Sequence, residues 1–349
     1  MNKLILSLII AIVGVVAYVK AIPSAYSIPN VPYHRQETQY NCGDASLQMV
    51  LEYNGRKVDQ KQLDDVARTS NKVGTCSYDI VRTPRFSILS STQGTDEPKH
   101  EAQHGFKNYP LGLLSVGYSS ATLWLDELKA LVAQDFPVIV LMAYLPTDRG
   151  GHFRVITGYD DNNQIIMSHD PWDRDGQPRF FNMSYTEFVD LWNYVEPESP
   201  RGTPYMGAIM YPLNVESSAE LLSGNQTKVT ASFSYDNYFP IDNINATLPT
   251  GLQALTSIKL PKGVELSQST ELLNSQQSSY TTSSFTQNSK YSFSWIIECD
   301  STNCDGYTYE ITTEIIITDS LPYTYFRNGF NFPAYSYIDA VGTTISVTI

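Results

Sequence analysis

Cys42 is the first residue of this sequence that suggests catalytic chemistry. It lies between a polar segment and a segment whose apolar residues have helical spacing. Apolar residues recur after it at helical intervals as far as Tyr53, and Gly55 follows the expected end of the helix. The positive N-terminal end of a helix dipole favours the thiolate over the thiol. Gln36 lies upstream on the incoming loop, where its amide could donate to an oxyanion beside the sulfur.

A histidine and an aspartate stand at the outer ends of two strand-like segments. His152 opens "HFRVITGY" and Asp170 closes "QIIMSHD", with the turn sequence "DDNN" between them. A hairpin centred near residue 161 places 152 opposite 170 on one sheet face, or diagonally if the centre shifts by half a residue. Asp170 would then orient the imidazole and stabilise the imidazolium. Asp160 and Asp161 lie at the far end and are interpreted as turn residues.

Together these groups predict nucleophilic catalysis by a thiol, with a base, an orienting acid and an oxyanion donor. The contact between Cys42 and His152 is tertiary and does not follow from spacing. Simpler interpretations remain open: Cys42 as a buried structural cysteine or as the disulfide partner of Cys76, and His152 and Asp170 as ordinary strand ends. Gln39 competes with Gln36 as the donor.

The elements that must position these groups follow from apolar spacing. Helices come first and strands later, which predicts an α+β domain. Residues 90–121 are rich in Ser, Gly, Pro and Asn and predict a long loop. Helices are expected in "DQKQLDDVART", "TLWLDELKALVAQDF" and "SYTEFVDLW", and strands in "PVIVLMAY", the two hairpin segments and "YMGAIMYPL".

The composition changes near residue 215. From 215 to 349 the chain is rich in Ser, Thr and Tyr, with short alternating runs that predict an all-β sandwich. We expect "KYSFSWIIE" and "YTYEITTEIII" to form a hairpin closed by a disulfide between Cys299 and Cys304. This accessory domain would hold an extracellular or cell-surface partner and contribute no catalytic group.

The N-terminus predicts secretion. Lys3 precedes the apolar run 4–19, and small residues follow, so residues 1–21 are interpreted as a signal peptide with cleavage as late as residue 27. An uncleaved membrane anchor is the alternative. Three glycosylation sequons, at Asn182, Asn225 and Asn245, fit a secreted, extracellular or endolysosomal protein. A net charge of −13 argues against a nucleic-acid partner.

The segment "HEAQH" matches a zinc-peptidase motif, with His100 and His104 one helical turn apart, Glu101 as the base and Glu127 as a third ligand. This motif needs a helix packed in a core. A proline before the segment and a glycine after it leave little more than one turn, without an apolar face. We therefore expect no metal and no cofactor, and keep a zinc metallopeptidase as a remote alternative.

The Gln36-x5-Cys42-Gly lead-in, Ala45 and "GHFRVITGYDDNNQIIMSHDPW" resemble the papain-like cysteine peptidases of the bacteriocin-processing type. These form the thirty-ninth cysteine-peptidase family, which cleaves after double-glycine leaders. The resemblance covers residues 28–213. It implies a papain-like α+β fold, with Cys42 as nucleophile, His152 as base, Asp170 as orienting acid and Gln36 as oxyanion donor.

Two departures from that family matter. The transporter to which its members are often fused is not evident, so leader-peptide export is not implied. Asp44 stands where many relatives have proline, and a carboxylate there would raise the thiol pKa. Two classes of function follow: a secreted cysteine peptidase acting on a peptide or protein, or an inactive peptidase-like protein that binds a partner. The oligomeric state is left open.

Overall fold

The computed structural model describes residues 22–87, 90–92, 110–173, 179–197, 202–223, 225–234, 252–267, 279–281, 290–299, 306–317, 325–327, 330–332 and 337–348. Residues 1–21, the "HEAQH" segment, Asn245 and Cys304 lie outside these ranges. The fold is mixed α and β, with several sheets. Within the described ranges, no helix has the length and apolar character needed to cross a membrane.

The helices are short and precede or flank the strands of the first half. They are α1 Cys42–Tyr53, α2 Gln60–Val66, α3 Ser77–Arg82, α4 Leu125–Val132 and α5 Tyr185–Trp192. Two begin at the caps that the sequence predicts, because Asp59 accepts from the Gln62 amide and Ser184 from the Glu187 amide. The helix start at Cys42 is also confirmed.

A central antiparallel sheet carries the site. Its strands are β1 Ala25–Ser27, β3 Leu114–Tyr118, β4 Val138–Leu145, β5 Asp148–Asp160, β6 Ile165–His169, β7 Phe180–Ser184 and β8 Met206–Tyr211. The order is β3-β8-β4-β5-β6-β7, with β1 added beside β5. The buried run of β4 is therefore an interior strand, as its apolar sequence predicts.

The sheet separates two hydrophobic cores because β4 alternates its side chains between its faces. Ile139 and Leu141 pack with residues of α1, α2 and α3, including Leu47. Val138 and Val140 pack on the other face with residues of α4 and α5. Helix α1 lies directly against β5, which brings the helix start to the strand that carries His152.

The expected loop over residues 90–121 is wrong in two places. Ser91–Thr92 form strand β2, and β3 is a buried strand that pairs with β8. Ser115 and Gly117 within β3 gave the segment its loop-like composition. They fit the strand because Ser115 is satisfied by buried partners, the Val81 carbonyl and the Arg85 guanidinium.

The C-terminal part contains two larger antiparallel sheets. Its strands are β9 Asn214–Ser223, β10 Gln226–Ser234, β11 Leu252–Lys259, β12 Val264–Leu266, β13 Ser279–Thr281, β14 Lys290–Cys299, β15 Thr308–Ile317, β16 Tyr325–Arg327, β17 Phe330–Phe332 and β18 Tyr337–Thr348. One sheet has the order β12-β14-β10-β9 and the other β13-β11-β15-β18-β2. Val229, Trp295 and Tyr309 share a buried cluster between them.

The expected hairpin of "KYSFSWIIE" with "YTYEITTEIII" is wrong, because β14 and β15 lie in different sheets. Alternation identifies a strand but not its partner, so two such strands can face each other across a core instead of pairing. Cys299 is disulfide-bonded. Its expected partner Cys304 lies outside the described residues, so that pairing stays a prediction.

The first and second halves of the chain touch at several points. Strand β2 pairs with β18, and the Gly342 amide donates to the Gly112 carbonyl at 3.0 Å. Val341 is buried in the same cluster as Leu114 and Leu213. The boundary near 215 stays a prediction, but the apolar surfaces on its two sides are packed together.

Two of the expected glycosylation sites fall on described residues. Asn182 is exposed on β7. The side-chain amide of Asn225 donates to the Cys299 carbonyl at 2.8 Å, so this nitrogen is already engaged in the fold. Glycosylation at either asparagine stays a prediction.

Candidate active site

The candidate nucleophile stands at the first residue of α1. Cys42 is half-buried, and its thiol is hydrogen-bonded to His152. Neither Cys42 nor Cys76 is in a disulfide, so the alternative Cys42–Cys76 bridge is wrong. Asn41, the residue before the helix, makes no cap bond; its amide instead donates to Gln60 at 3.0 Å.

His152 and Asp170 are joined directly. His152 Nε2 and Asp170 Oδ1 are 2.7 Å apart, and the Trp172 backbone amide donates to the same oxygen at 2.8 Å. Both side chains are buried, at 6% and 2% exposure. With Nε2 held by the carboxylate, the second ring nitrogen is left for the thiol.

The directly opposed register, with 152 opposite 170, is wrong, and the diagonal arrangement that the sequence also allowed is confirmed. Strands β5 and β6 pair Val155 with His169, and the register shifts between Ile156 and Gly158. Asp170 therefore comes opposite residue 154, and His152 reaches it diagonally. The turn begins after Asp160, so its centre lies later in the chain than residue 161. The register shift in β5 is a bulge that adds one residue to this strand.

The ionisation of the three groups is linked. Burial opposes the charged imidazole, but the Asp170 charge, its hydrogen bond and the Cys42 contact together raise the pKa of His152 to about 9. Burial also opposes the Asp170 carboxylate, yet the charges of His152 and Arg154 lower its pKa to about 2. For Cys42, burial raises the pKa, and the contacts with His152 and the Phe153 amide outweigh it, so the thiol pKa is lowered.

Gln36 lies beside this group. Its side chain is 2% exposed, and its Nε2 donates to the Thr38 carbonyl at 2.8 Å. A primary amide carries two hydrogens, so this bond uses only one of them. The Gln36 backbone amide donates to the Pro171 carbonyl at 3.0 Å, which links the loop before Cys42 to the segment after Asp170. Gln39 is exposed at the cleft.

The expected effect of Asp44 on the thiol stays a prediction. Asp44 is fully buried and accepts from the Thr69 and Thr75 hydroxyls at 3.0 and 3.4 Å. Burial, together with a hydrogen bond and charge repulsion from Asp64, raises its pKa well above the usual value. A raised pKa favours the neutral form of the Asp44 side chain, which weakens the negative charge beside Cys42.

Sequence reasoning missed two neighbours of the triad. Arg154 is fully buried, and its Nε donates to Asp170 Oδ2 at 2.7 Å. The Tyr144 ring lies edge-on to the His152 ring, with centroids 5.1 Å apart. Arg154 was identifiable in principle, because residues two apart on a strand share a face and a buried arginine needs an anion.

A cleft of about 480 Å³ opens over Cys42 and His152. The loop 71–75 and Tyr40 form part of its wall, and Tyr144, Asp148, Gly150, Gly151 and Tyr194 form another part. The described residues contain no cluster of three or more His, Cys, Asp or Glu side chains that could hold a metal. His100, Glu101 and His104 lie outside the described ranges, and Glu127 is half-buried on α4.

Three solved protease structures are similar to part of this chain. No curated protein matches this chain. A double-glycine-motif protease from an AMS/PCAT transporter, solved in complex with the leader peptide, is 21% identical over 53% of this chain and 94% of its own, with a TM-score of 0.33. The peptidase domain of Streptococcus ComA is 17% identical over 52% and 98%, with a TM-score of 0.34.

Xylellain, a cysteine protease from Xylella fastidiosa, is 12% identical over 55% of this chain and 87% of its own, with a TM-score of 0.36. Residues 28–199 match the family model described as "Peptidase_C39 like family". The resemblance carried by the cysteine and histidine motifs is confirmed, and it ends at residue 199 rather than 213. Residues 28–199 of this chain are therefore similar to the Peptidase_C39-like family.

Proposed function

We propose that this protein is a papain-like cysteine peptidase that cleaves peptide or amide bonds of a peptide or protein substrate. One observation carries the proposal. The Cys42 thiol, the His152 imidazole and the Asp170 carboxylate form a continuous hydrogen-bonded chain whose cysteine end lies in an open cleft. A disulfide or a purely structural role for Cys42 would not require this chain.

The first step transfers the thiol proton to His152. A raised imidazole pKa and a lowered thiol pKa favour the thiolate–imidazolium pair near neutral pH. The Cys42 sulfur attacks the carbonyl carbon, and the carbonyl oxygen becomes an oxyanion. Gln36 Nε2 and the backbone amide of Cys42, an N–H without a partner within the helix, are the proposed donors to that oxygen.

The second step completes the cycle. The imidazolium of His152 gives its proton to the leaving amine as the C–N bond breaks, which leaves a thioester on Cys42. Water then attacks the thioester while His152 accepts a proton, and the thiol is restored. Asp170 keeps the ring oriented and stabilises the imidazolium in both steps.

We also propose that the protein is secreted or acts in an extracellular or endolysosomal lumen. Support comes from Lys3 and the apolar run 4–19, and from Cys299, which is disulfide-bonded. N-terminal sequencing of the protein from a eukaryotic host tests the location. A mature chain that starts between residues 22 and 28 supports cleavage, and an intact Met1 on membrane-bound protein supports an anchor.

Activity on a peptide library, with Cys42→Ala beside the wild type, tests the function. Cys76→Ala is the matched control, because Cys76 is also outside a disulfide but is only 2% exposed. We expect cleavage by the wild type and the control and none by Cys42→Ala. A folded wild type that cleaves nothing and resists thiol-directed affinity labels at Cys42 would support the inactive, partner-binding alternative.

A further inference from the structure

Arg154 occupies a fully buried position next to the triad. Its Nε donates to Asp170 Oδ2 at 2.7 Å, and one terminal nitrogen, Nη2, donates to the Tyr144 carbonyl at 2.8 Å. The guanidinium carbon lies 5.2 Å from the centre of the Phe181 ring and 5.8 Å from that of Tyr144. An arginine without any exposed surface is costly unless its charge is matched, and Asp170 matches it.

We infer that Arg154 is a positioning residue of the peptidase reaction, which holds Asp170 in place and balances its charge for His152. The inference rests on the proposed function. Asp170 has two carboxylate oxygens, and each has its own partner: His152 on Oδ1 and Arg154 on Oδ2. Because Arg154 is also tied to the β4 backbone, the carboxylate cannot rotate away from the imidazole without breaking both sets of contacts.

The charge balance explains why a cation is placed here. Before proton transfer the buried chain contains Arg154 as a cation, Asp170 as an anion, and neutral His152 and Cys42. After transfer it contains two cations and two anions, which alternate along the chain. With Arg154 present the net charge is zero in both states, so this poorly solvated site carries no net charge at either stage.

Without Arg154 the same chain would carry a net charge of −1 before and after transfer. A fixed positive charge also lowers the pKa of each group that faces it, since it opposes a new cation and stabilises a new anion. Arg154 therefore limits how strongly Asp170 holds the proton on His152. That limit matters in the second step, when the imidazolium must release its proton to the leaving amine.

Other ionisable groups lie around these residues, and Lys72, Asp148 and Glu196 line the cleft over Cys42 and His152. The Tyr33 hydroxyl donates to the Asp170 carbonyl at 3.0 Å. The charges of Asp173 and Arg179 act on Tyr33 in turn. Tyr144 faces both Arg154 and His152 through its ring. Near Cys42, burial and Asp64 raise the pKa of Asp44 and so favour its neutral form. None of these is hydrogen-bonded to the Asp170 carboxylate among the described contacts, which leaves Arg154 as its charged partner besides His152.

The test compares pH profiles of kcat and KM for Arg154→Gln, Arg154→Lys and the wild type. Arg149→Gln is the matched control, because Arg149 lies on the same strand but forms an exposed ion pair with Asp190. For Arg154→Gln we expect kcat to fall about 10- to 100-fold with little change in KM. The acidic limb and the basic limb of its pH profile of kcat should both move to higher pH, by about one pH unit.

For Arg154→Lys, which keeps the charge but not the fork of donors, the limbs should stay where they are in the wild type while kcat falls. The control should match the wild type. If Arg154→Gln is folded and its limbs do not move, or if Arg154→Lys retains wild-type kcat, the inference is overturned. If Arg154→Gln does not fold, Arg154→Lys still tests positioning through kcat and KM. An inactive wild type would instead refute the proposed function.

Discussion

The His152 imidazole reaches the Asp170 carboxylate because strand β5 carries one extra residue, Thr157, between Ile156 and Gly158. Residues opposite each other in an antiparallel pair share a sheet face, and a one-residue slip reverses that face. Without the bulge, Val155 would come opposite Asp170, and His152 would point to the other side of the sheet. The bulge thus decides whether the histidine and the aspartate meet.

Asp170→Asn should reduce kcat strongly, by about 10²- to 10⁴-fold, with KM little changed. The amide can still contact His152, but it cannot stabilise the imidazolium as a carboxylate does. Steady-state kinetics on a peptide cleaved by the wild type measures the effect. Asp173→Asn, three residues further along and half-buried, is the control. Full activity in Asp170→Asn would show that the aspartate does not act on the histidine.

The same variant should lose stability in a pH-dependent way. The raised pKa of His152 contributes stability that is complete below its ordinary value near 6.5 and is lost as the pH rises through about 9. The lowered pKa of Asp170 contributes stability that is complete above its ordinary value near 3.8 and is lost as the pH falls toward about 2. Both contributions are complete between these two ordinary values.

We therefore expect the difference in unfolding free energy between wild type and Asp170→Asn to be greatest between about pH 4 and 6.5. Asp170→Asn also removes the negative charge that matches buried Arg154, which lowers the free energy of unfolding by a further amount of about 3–5 kcal/mol. Denaturant unfolding across the pH range measures the difference. A difference that stays the same at every pH would mean that the ion pair does not contribute to folding.

Gln36→Ala should lower kcat about 10²- to 10³-fold if its amide stabilises the oxyanion. Gln39→Ala is the control, since Gln39 also lines the cleft but is exposed. Kinetics should be paired with Cys42 labelling, because an oxyanion donor is not needed for alkylation. Slower alkylation in Gln36→Ala would show that the substitution disturbs the Cys42 thiol. A larger loss of kcat in Gln39→Ala than in Gln36→Ala would identify Gln39 as the oxyanion donor.

Cys42 should react with iodoacetamide well below the pH at which an ordinary thiol does, because contact with His152 lowers its pKa. Removing the imidazole in His152→Ala should raise the thiol pKa and move the reaction to higher pH. Mass spectrometry of the labelled peptides from pH 4 to 10 follows both cysteines. Cys76, buried in the same protein, serves as the internal control, and equal profiles for the two would contradict an activated Cys42.

A fragment of residues 22–214 should be insoluble or much less stable than the full chain. It would lack Val341, which is buried with Leu114 and Leu213, and the Gly342 groups that bond to Gly112 and Arg56. Thermal unfolding and thiol-dependent activity of the fragment measure this. A stable, fully active fragment would instead support an independent accessory domain after residue 215.

Activity should survive zinc chelation, since the proposed chemistry uses no metal and "HEAQH" lacks an apolar helical face. Metal analysis of the purified protein and assays in chelator test this. His104→Ala is the informative variant: if it loses both stoichiometric zinc and activity, the metallopeptidase alternative gains support.

Local features of this fold could be predicted from the sequence, but the contacts between them could not. Asp59 and Ser184 identify helix starts because a cap depends on residues close in sequence. The turn after Asp160 was evident, yet nothing in the residue types announced the extra residue at Thr157. A bulge depends on how both strands pack, so the sequence could not decide between the directly opposed and the diagonal placement of the histidine and the aspartate.

Arg154 and the partners of β14 were missed for a related reason. The alternating pattern assigns Arg154 to the face of His152, but only the three-dimensional structure shows that Asp170 is within hydrogen-bonding distance of both. The pattern of "KYSFSWIIE" likewise defines a strand and leaves its neighbours undefined. Long-range pairing is set by the whole core, which a short segment does not encode.

The pairing of β18 with β2, and the burial of Val341 beside Leu114, have a consequence for biosynthesis. A ribosome makes the chain from its N-terminus, so every residue of the catalytic chain emerges before residues 337–348. Until then the nascent protein exposes the apolar surface that Val341 later covers, and exposed apolar surface is the condition under which chaperones bind. We expect a chain stalled before residue 337 to be degraded, with its thiol site never matured.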